Sequence, residues 1–215
     1  LLVNLGTPDD PSPAAVRRYL AEFLWDPRVI EMPRALWWLI LNGIILRVRP
    51  KRSAHAYQKV WTEQGSPLLI ESRGLADALA ARLKAEYGER VIVDLAMTYG
   101  NPSIPAALER FRQRNVQRLI VLPLYPQYSS TTTGTIFERV TRELSRWRWM
   151  PELRFVNQYW ERESYLSAVS ASIAEHWRKH GRKHLLFSFH SIPKRYFTAG
   201  DPYHCFCRGT ARAVA

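Results

Sequence analysis

The chain has 215 residues, of which 47% are hydrophobic and 23% are charged, a composition typical of a globular protein that can bury a core. Its formal net charge of +12 predicts an anionic partner, which can be nucleic acid, a membrane surface or a carboxylate-bearing substrate. Cys205 and Cys207 are too close in sequence to form a structural disulfide, which argues against a secreted, bridged scaffold and favours a reducing compartment.

The two ends of the sequence suggest a piece of a longer chain. It begins Leu-Leu-Val-Asn-Leu-Gly without a methionine, a basic leader or a cleavage-like site, so we expect it to open directly in a first strand. Residues 208–215 resemble the first turns of a helix that is cut short. We therefore expect the missing part to lie mainly downstream.

Short apolar runs rich in β-branched residues alternate with helical patterns. Because this alternation is typical of βαβ units, it predicts an α/β fold with a parallel sheet. We place a domain boundary near Met150–Pro151, with a second domain that is only partly present. The predicted strands lie at residues 1–5, 91–97, 119–124, 153–156 and 185–189, and the predicted helices at 14–25, 68–87, 104–114 and 135–147.

An apolar helical pattern at residues 35–46 stands out between the first and second strands. A helix that spans a bilayer needs roughly 20 apolar residues, so this one is too short to cross. It can be a buried helix, or an amphipathic lip that meets a membrane or a flat apolar ligand. The adjacent Trp37 and Trp38, and the basic tail that begins at Arg47, favour the lip.

Polar or glycine-bearing loops follow the first three predicted strands. Gly6 and Tyr99-Gly100 close the first two, and a run of serines and threonines at residues 129–133 closes the third. These hydroxyl groups precede a predicted helix, so they can cap it or bind a phosphate or carboxylate at its N-terminus. Since the three loops face one crevice, we expect a ligand there.

His190 lies at the carboxyl end of the apolar run at residues 185–189, where open α/β sheets place their ligands. It can be a buried core histidine or a group active in chemistry. A zinc site at His204, Cys205 and Cys207 is disfavoured because no second pair of ligands exists. Ser188 lacks the strained elbow of a nucleophilic serine.

Five motifs taken together resemble the ferrochelatase family, in order over the whole chain. The resemblance implies two Rossmann-like lobes of parallel sheets flanked by helices, with a porphyrin cleft between them. Residues 1–150 would be the first lobe with an inserted helical lip at about 35–64, and residues 151–215 the start of a truncated second lobe. The motifs are Val3-Asn4-Leu5-Gly6-Thr7-Pro8, Gly65-Ser66-Pro67-Leu68, Tyr125-Pro126-Gln127-Tyr128-Ser129, Ser188-Phe189-His190-Ser191-Ile192-Pro193 and Gly200-Asp201-Pro202-Tyr203.

The resemblance implies a metal chelatase of haem biosynthesis that inserts Fe²⁺, as a substrate, into protoporphyrin IX to give protohaem. His190 would be the catalytic and metal-site residue, either accepting a pyrrole proton or binding the ferrous ion. Its acidic partner is expected outside this chain, so we expect the fragment alone to be inactive. No cofactor is expected to be permanently bound. No iron–sulfur cluster is expected, because Ser130 stands where animal members have a cluster cysteine.

The same resemblance implies a set of porphyrin-binding residues, among which Arg47, Arg49, Lys51, Tyr57 and Ser66 would hold the propionates. It also implies a cytoplasmic monomer that can touch a membrane surface, and no nucleic-acid motif accompanies the positive charge. Two alternatives stay open for the activity, a coproporphyrin-specific enzyme and a non-catalytic haem carrier. An α/β transferase that uses the serine–threonine loop for phosphate is a third. The implied porphyrin-binding residues are Leu5, Trp37, Trp38, Arg47, Arg49, Lys51, Tyr57, Ser66, Tyr99, Tyr128, Ser129 and Ser130.

Overall fold

A computed structural model describes residues 1–215. The chain forms two compact units. The first comprises Leu1–Leu124 and Thr135–Phe155, and the second comprises Tyr125–Gly134 and Val156–Ala215.

A four-stranded, all-parallel sheet organises the first unit, in the order β2-β1-β3-β4. Leu2 of the central strand lies opposite Leu95 on one side and Leu122 on the other. The sheet confirms the predicted α/β class and the first four predicted strands. The strands are β1 (Leu2–Thr7), β2 (Leu95–Gly100), β3 (Arg118–Pro123) and β4 (Glu152–Phe155).

Helices flank this sheet and begin where the sequence signals predicted. Ser12 and Ser103 accept hydrogen bonds from the backbone amides of Ala15 and Ala106, and a proline follows each cap in the first turn. A 3₁₀ turn, Gly88–Arg90, leads towards β2. The helices of this unit are α1 (Pro13–Trp25), α2 (Arg34–Ile40), α3 (Leu46–Val60), α4 (Pro67–Tyr87), α5 (Ile104–Gln113) and α6 (Thr135–Leu144).

The predicted helical insertion consists of α2, a π-helical turn (Leu41–Ile45) and α3, which follow one another without a break. Pro50 lies inside α3 and has no amide hydrogen, so it cannot bond the carbonyl of Leu46. The side chain of Arg17 donates to that carbonyl instead, at 3.2 Å, and fixes the insertion to α1. None of the chain's helices combines the length and apolarity that crossing a bilayer requires.

Gly6 permits the close approach of β1 and β2 at their carboxyl ends. Its φ of +113° is in the region that disfavours side chains, and a Cβ there would lie 1.8 Å from the carbonyl oxygen of Tyr99. The Tyr19 hydroxyl donates to the carbonyl of Gly6 at 3.3 Å, which joins α1 to the strand end. The backbone at this point can therefore carry only a glycine.

The second unit is helical, and the strand predicted at residues 185–189 is wrong for this structure. A strand needs a hydrogen-bonded neighbour, and no strand lies in this unit to supply one. The apolar run is consequently exposed, with Leu186 at 83%. The helices are α7 (Glu163–His180), α8 (Lys194–Thr198) and α9 (Tyr203–Val214).

The division of the chain differs from a single boundary near Met150–Pro151. β4 lies beyond that point, yet its Glu152 lies opposite Arg118 of β3 in the sheet of the first unit. The segment Tyr125–Gly134, which precedes that point, groups with the second unit. The chain therefore passes between the units more than once.

Candidate functional site

The two tryptophans of α2 have different environments. Trp37 is 7% exposed, and its Nε1 donates to the carbonyl of Leu24 at 2.7 Å. Trp38 is 54% exposed. Because a fully packed side chain has no free surface to offer, Trp38 is the member of this pair that a flat apolar ligand could contact.

The proposed propionate-binding residues of α3 also fall into two groups. Arg47, Arg49 and Lys51 are exposed, so their charged groups are accessible to an anion. Tyr57 is half-buried with its ring edge-on to that of Tyr19, and burial raises the pKa of its hydroxyl. It therefore offers a ligand less accessible surface than the three cations do.

Two further predicted residues of the first unit contact the core. Leu5 of β1 is half-buried and packs against the cluster of α1, α2 and α3. Ser66 is 6% exposed and is the N-cap residue of α4, where its carbonyl accepts from the amide of Ile70 at 3.0 Å. Leu5 therefore keeps some surface that a ligand could contact, whereas Ser66 is buried and its observed role is to begin α4.

Tyr99 belongs to the core of this structure and presents no surface to a ligand. It is 0% exposed, and its hydroxyl donates to Oδ2 of Asp26 at 2.9 Å. Burial, followed by the nearby Asp26 carboxylate, raises the pKa of Tyr99 far above its usual value. Arg139 lies over the ring, 4.5 Å from its centroid. The apolar body and the hydroxyl of Tyr99, one of the residues expected to bind porphyrin, are thus both packed against the chain itself.

A charged network that sequence analysis missed surrounds the end of β2. Arg139 donates to Glu22 at 2.7 Å and to the carbonyl of Thr98 at 2.6 Å. The other oxygen of Glu22 accepts from the amide of Gly100 at 2.8 Å. Both charges line a cavity of about 740 Å³. Since they pair with each other and with the backbone, their role is to hold α1 and α6 to the strand end.

The serine–threonine loop of the second unit includes a π-helical turn, Ser130–Gly134. Ser129 is 2% exposed, and its hydroxyl donates to Oδ2 of Asp201 at 2.9 Å. The amide of Ser130 donates to the same oxygen at 2.8 Å. Tyr128 is half-buried beside them. The sequence left a helix cap and a site for a phosphate or carboxylate open here, and in the structure a carboxylate of the chain itself takes these donors.

His190 is exposed and lies in a segment without regular secondary structure. Its Nδ1 lies 2.6 Å from the carbonyl oxygen of Ser191. Because a carbonyl can only accept, this contact assigns the proton to Nδ1 and leaves the lone pair on Nε2. A neutral imidazole in this form can accept a proton or bind a metal ion through Nε2.

Tyr203 and Cys207 lie four residues apart on α9, so they share one face of that helix. Burial is the main cause that raises the pKa of Tyr203 to about 12, and burial likewise raises the pKa of the Cys207 thiol. Cys205 is exposed, and no group of three or more histidine, cysteine or acidic side chains is arranged to hold a metal ion.

Asp201 and Tyr203 were quoted within a motif, but no role was assigned to either side chain. The hydrogen bonds of Asp201 reach back 71 and 72 residues in the chain. Periodicity and local spacing carry no signal for such a contact. Only the coincidence of one isolated acid with a run of hydroxyl residues could have suggested it.

The comparisons with known proteins agree with one another. The model of the family described as ferrochelatase matches residues 1–215. A ferrochelatase of Thioalkalivibrio sulfidiphilus is 57% identical over 216 aligned residues, which cover all of this chain and 58% of the relative. A ferrochelatase of Marinobacter nauticus is 50% identical, and the alignment covers 58% of its length. Ferrochelatase 2 of Shewanella oneidensis is 51% identical, and the alignment covers 66% of its length. Both alignments cover the whole of this chain.

The chain thus spans between 58% and 66% of the length of these curated relatives. Its match to the family model nonetheless extends over every one of its residues, at both units and all five motifs. The chain belongs to the ferrochelatase family.

Proposed function

We propose that the longer protein of which this chain is a part inserts Fe²⁺ into protoporphyrin IX to give protohaem, a step of haem biosynthesis. The match of all 215 residues to the ferrochelatase family carries this proposal. In the reaction, the two pyrrole N–H groups lose their protons, and the four ring nitrogens bind the metal. The protein must therefore hold the ring, admit the metal ion and remove two protons.

His190 is the residue that we propose for proton removal or for delivery of the metal. Its Nε2 lone pair is free of the contact that Nδ1 makes with Ser191. A proton accepted by Nε2 turns the ring into an imidazolium, which the carbonyl of Ser191 stabilises through Nδ1–H. The same lone pair could instead replace one water of the ferrous ion before the ion reaches the ring.

The first unit supplies the groups that we propose for holding the porphyrin. Trp38 and Leu5 offer apolar surface for the macrocycle, while Arg47, Arg49 and Lys51 offer positive charge for its propionates. Binding energy at the periphery can bend the ring, which exposes the pyrrole lone pairs to the metal. Charged groups spaced along a helix could also hold the additional carboxylates of coproporphyrin, the alternative substrate.

Several finer features accompany this proposal. We propose that the second unit is the opening part of a second Rossmann-like lobe and that the acidic partner of His190 lies in the remainder of the protein. We propose further that Ser130 holds no iron–sulfur cluster, since such clusters are bound by cysteine thiolates. We propose a cytoplasmic location, which fits the bacterial relatives. We also propose a monomer, in which the exposed Trp38 and its neighbours can touch a membrane surface.

Anaerobic metallation tests the proposal directly. Full-length protein, protoporphyrin IX and Fe²⁺ are mixed, and the porphyrin fluorescence is expected to fall at a rate proportional to protein concentration. His190→Ala is expected to lower that rate about 10²-fold or more, as loss of a general base does. His184→Ala, which alters an exposed histidine of the same segment, is the matched control and should leave the rate unchanged.

The alternatives give different results in the same assay. Protein that binds protoporphyrin or haem tightly but never metallates the porphyrin would be a carrier, and the proposal would be wrong. A coproporphyrin-specific enzyme would turn over coproporphyrin much faster than protoporphyrin. A phosphate-using transferase would show inhibition by nucleotide.

A further inference from the structure

The cavity of about 740 Å³ in the first unit lies between α1 and α6, and none of the residues proposed for porphyrin binding lines it. Small-molecule sites in proteins typically have volumes of about 300–1,000 Å³ and combine apolar walls with a few polar groups. The cavity therefore has the size and the mixed lining of a ligand site. Its apolar wall is formed by Ala21, Trp25, Pro27 and Pro105.

Arg34 of α2 is the only arginine in the lining of this cavity that has no acidic partner. The buried Asp26 carboxylate accepts from the Tyr99 hydroxyl at 2.9 Å and lies 4.0 Å from Arg139, so its charge is also offset. The charge of Arg34 is thus the one that the chain itself leaves unmatched. The other arginines of the lining form the ion pairs Arg139–Glu22, Arg142–Glu138 and Arg146–Glu143.

The guanidinium of Arg34 is held in place, but its hydrogen bonding is incomplete. Its Nη2 donates to the carbonyl of Trp25, the last residue of α1, and its Cζ lies 3.8 Å from the centroid of the Trp25 ring. Its Nη1 is buried and has no hydrogen-bond partner. A buried donor without a partner costs free energy, and a ligand atom that accepts from it would remove this cost.

A carboxylate or a phosphate is the chemical group that matches such an arginine. A guanidinium presents its N–H groups as a planar fork, which fits two oxygens of either group. Because Nη1 is closed to water, the half-buried side chain has to turn as the anion binds. This movement changes how the guanidinium stacks on Trp25, so the fluorescence of that tryptophan reports binding.

We propose that this cavity binds a small molecule that carries one carboxylate or phosphate group on an apolar body, with the anion on Arg34 and the body against the apolar wall. One anionic group is expected rather than several, because the remaining arginines of the lining are already paired. The site is separate from the residues proposed for porphyrin, and the inference does not depend on metal insertion.

Titration of the full-length protein with phenylacetate tests this inference. The probe carries one carboxylate on a phenyl ring, and phenylacetamide is its uncharged counterpart of nearly the same shape. Isothermal titration calorimetry should show one site for phenylacetate and about 10- to 100-fold weaker binding of phenylacetamide, as expected for a hydrogen bond to a charged group. Phenyl phosphate shows which anionic group is preferred. Either preference agrees with the inference, whereas binding of neither anion contradicts it.

Arg34→Gln should raise the Kd for phenylacetate by about 10-fold or more, because it removes the charge and the planar fork. Arg47→Gln, which changes an exposed arginine of α3, is the matched control and should leave this Kd within about 2-fold of wild type. The fluorescence change on adding phenylacetate should disappear in Trp25→Phe.

Two results would overturn the inference. Equal binding of phenylacetate and phenylacetamide would show that the cavity does not select an anion, and this comparison on wild-type protein decides even if Arg34→Gln does not fold. Loss of phenylacetate binding in Arg47→Gln but not in Arg34→Gln would place the ligand on α3 instead.

Discussion

Trp37 and Trp38 should respond in opposite ways to replacement by alanine, although they are adjacent in sequence. Trp37 is packed in the core with its indole nitrogen bonded to Leu24, and Trp38 is more than half exposed. We expect Trp37→Ala to reduce stability and Trp38→Ala to reduce porphyrin binding. Each variant is the control for the other, since both replace a tryptophan by alanine at adjacent positions of α2.

The size of the stability effect follows from burial. Truncating a buried tryptophan typically costs about 3–5 kcal/mol, because it removes apolar contacts and leaves a cavity. The carbonyl of Leu24 also loses its donor, and an unsatisfied buried acceptor alone costs about 1–3 kcal/mol. For Trp38, a surface change away from the core should alter the free energy of unfolding by less than about 0.5 kcal/mol.

The size of the binding effect follows from exposed area. A tryptophan has roughly 200 Å² of surface to bury, so the 54% that Trp38 exposes is about 100 Å². A flat ligand covers one face, or roughly half of this, and about 25 cal/mol per Å² then gives about 1.3 kcal/mol. Trp38→Ala should consequently raise the Kd for porphyrin by about 10-fold.

Two measurements on the full-length variants check these values. Urea unfolding followed by circular dichroism gives the loss of stability, and titration of porphyrin fluorescence gives Kd. The reasoning is refuted if Trp37→Ala unfolds at the same urea concentration as wild type, or if Trp38→Ala binds porphyrin as tightly as wild type does.

Three other outcomes are expected. Gly6→Ala should lower the melting temperature of the protein far more than Gly65→Ala does. Both glycines have positive φ, but only at Gly6 would the added Cβ also clash with a backbone oxygen. Equal losses of melting temperature in the two variants would contradict this expectation. Iodoacetamide should label Cys205 at neutral pH and Cys207 only as the pH rises, because burial raises the pKa of the Cys207 thiol and only the thiolate reacts. Peptide mass spectrometry measures labelling at both residues, and labelling of Cys207 before Cys205 would contradict this packing. Hydrogen exchange at residues 185–189 should be slow in the full-length protein and fast in the 215-residue chain, and fast exchange in both would exclude a strand there.

Sequence patterns predicted the first unit well because its signals are local. Ser12 and Ser103 cap helices within three residues of themselves, and the β-branched runs of β1 and β3 lie side by side in the sheet with β2 and β4 as their outer neighbours. Such elements depend on neighbours that the same stretch of sequence supplies. Their positions were therefore predictable to within a few residues.

The second unit was predicted less well because its contacts are not local. The run at residues 185–189 has the composition of a buried strand, but composition does not supply the neighbour that a strand must pair with. Tyr99 shows the same limit at a single residue. Its place at a strand end suggested a ligand contact, and the decisive partner, Asp26, is 73 residues away.

Asp201 also changes what the serine–threonine loop can bind. Its carboxylate already accepts from the Ser129 hydroxyl and the Ser130 amide, and the Thr131 hydroxyl bonds Ser129 in turn. A second negative charge about 5 Å away would meet a repulsion of about 3 kcal/mol at an effective dielectric constant near 20. A phosphate at this loop is disfavoured by that amount and by the loss of its donors, which argues against a transferase. An uncharged macrocycle surface meets no such penalty.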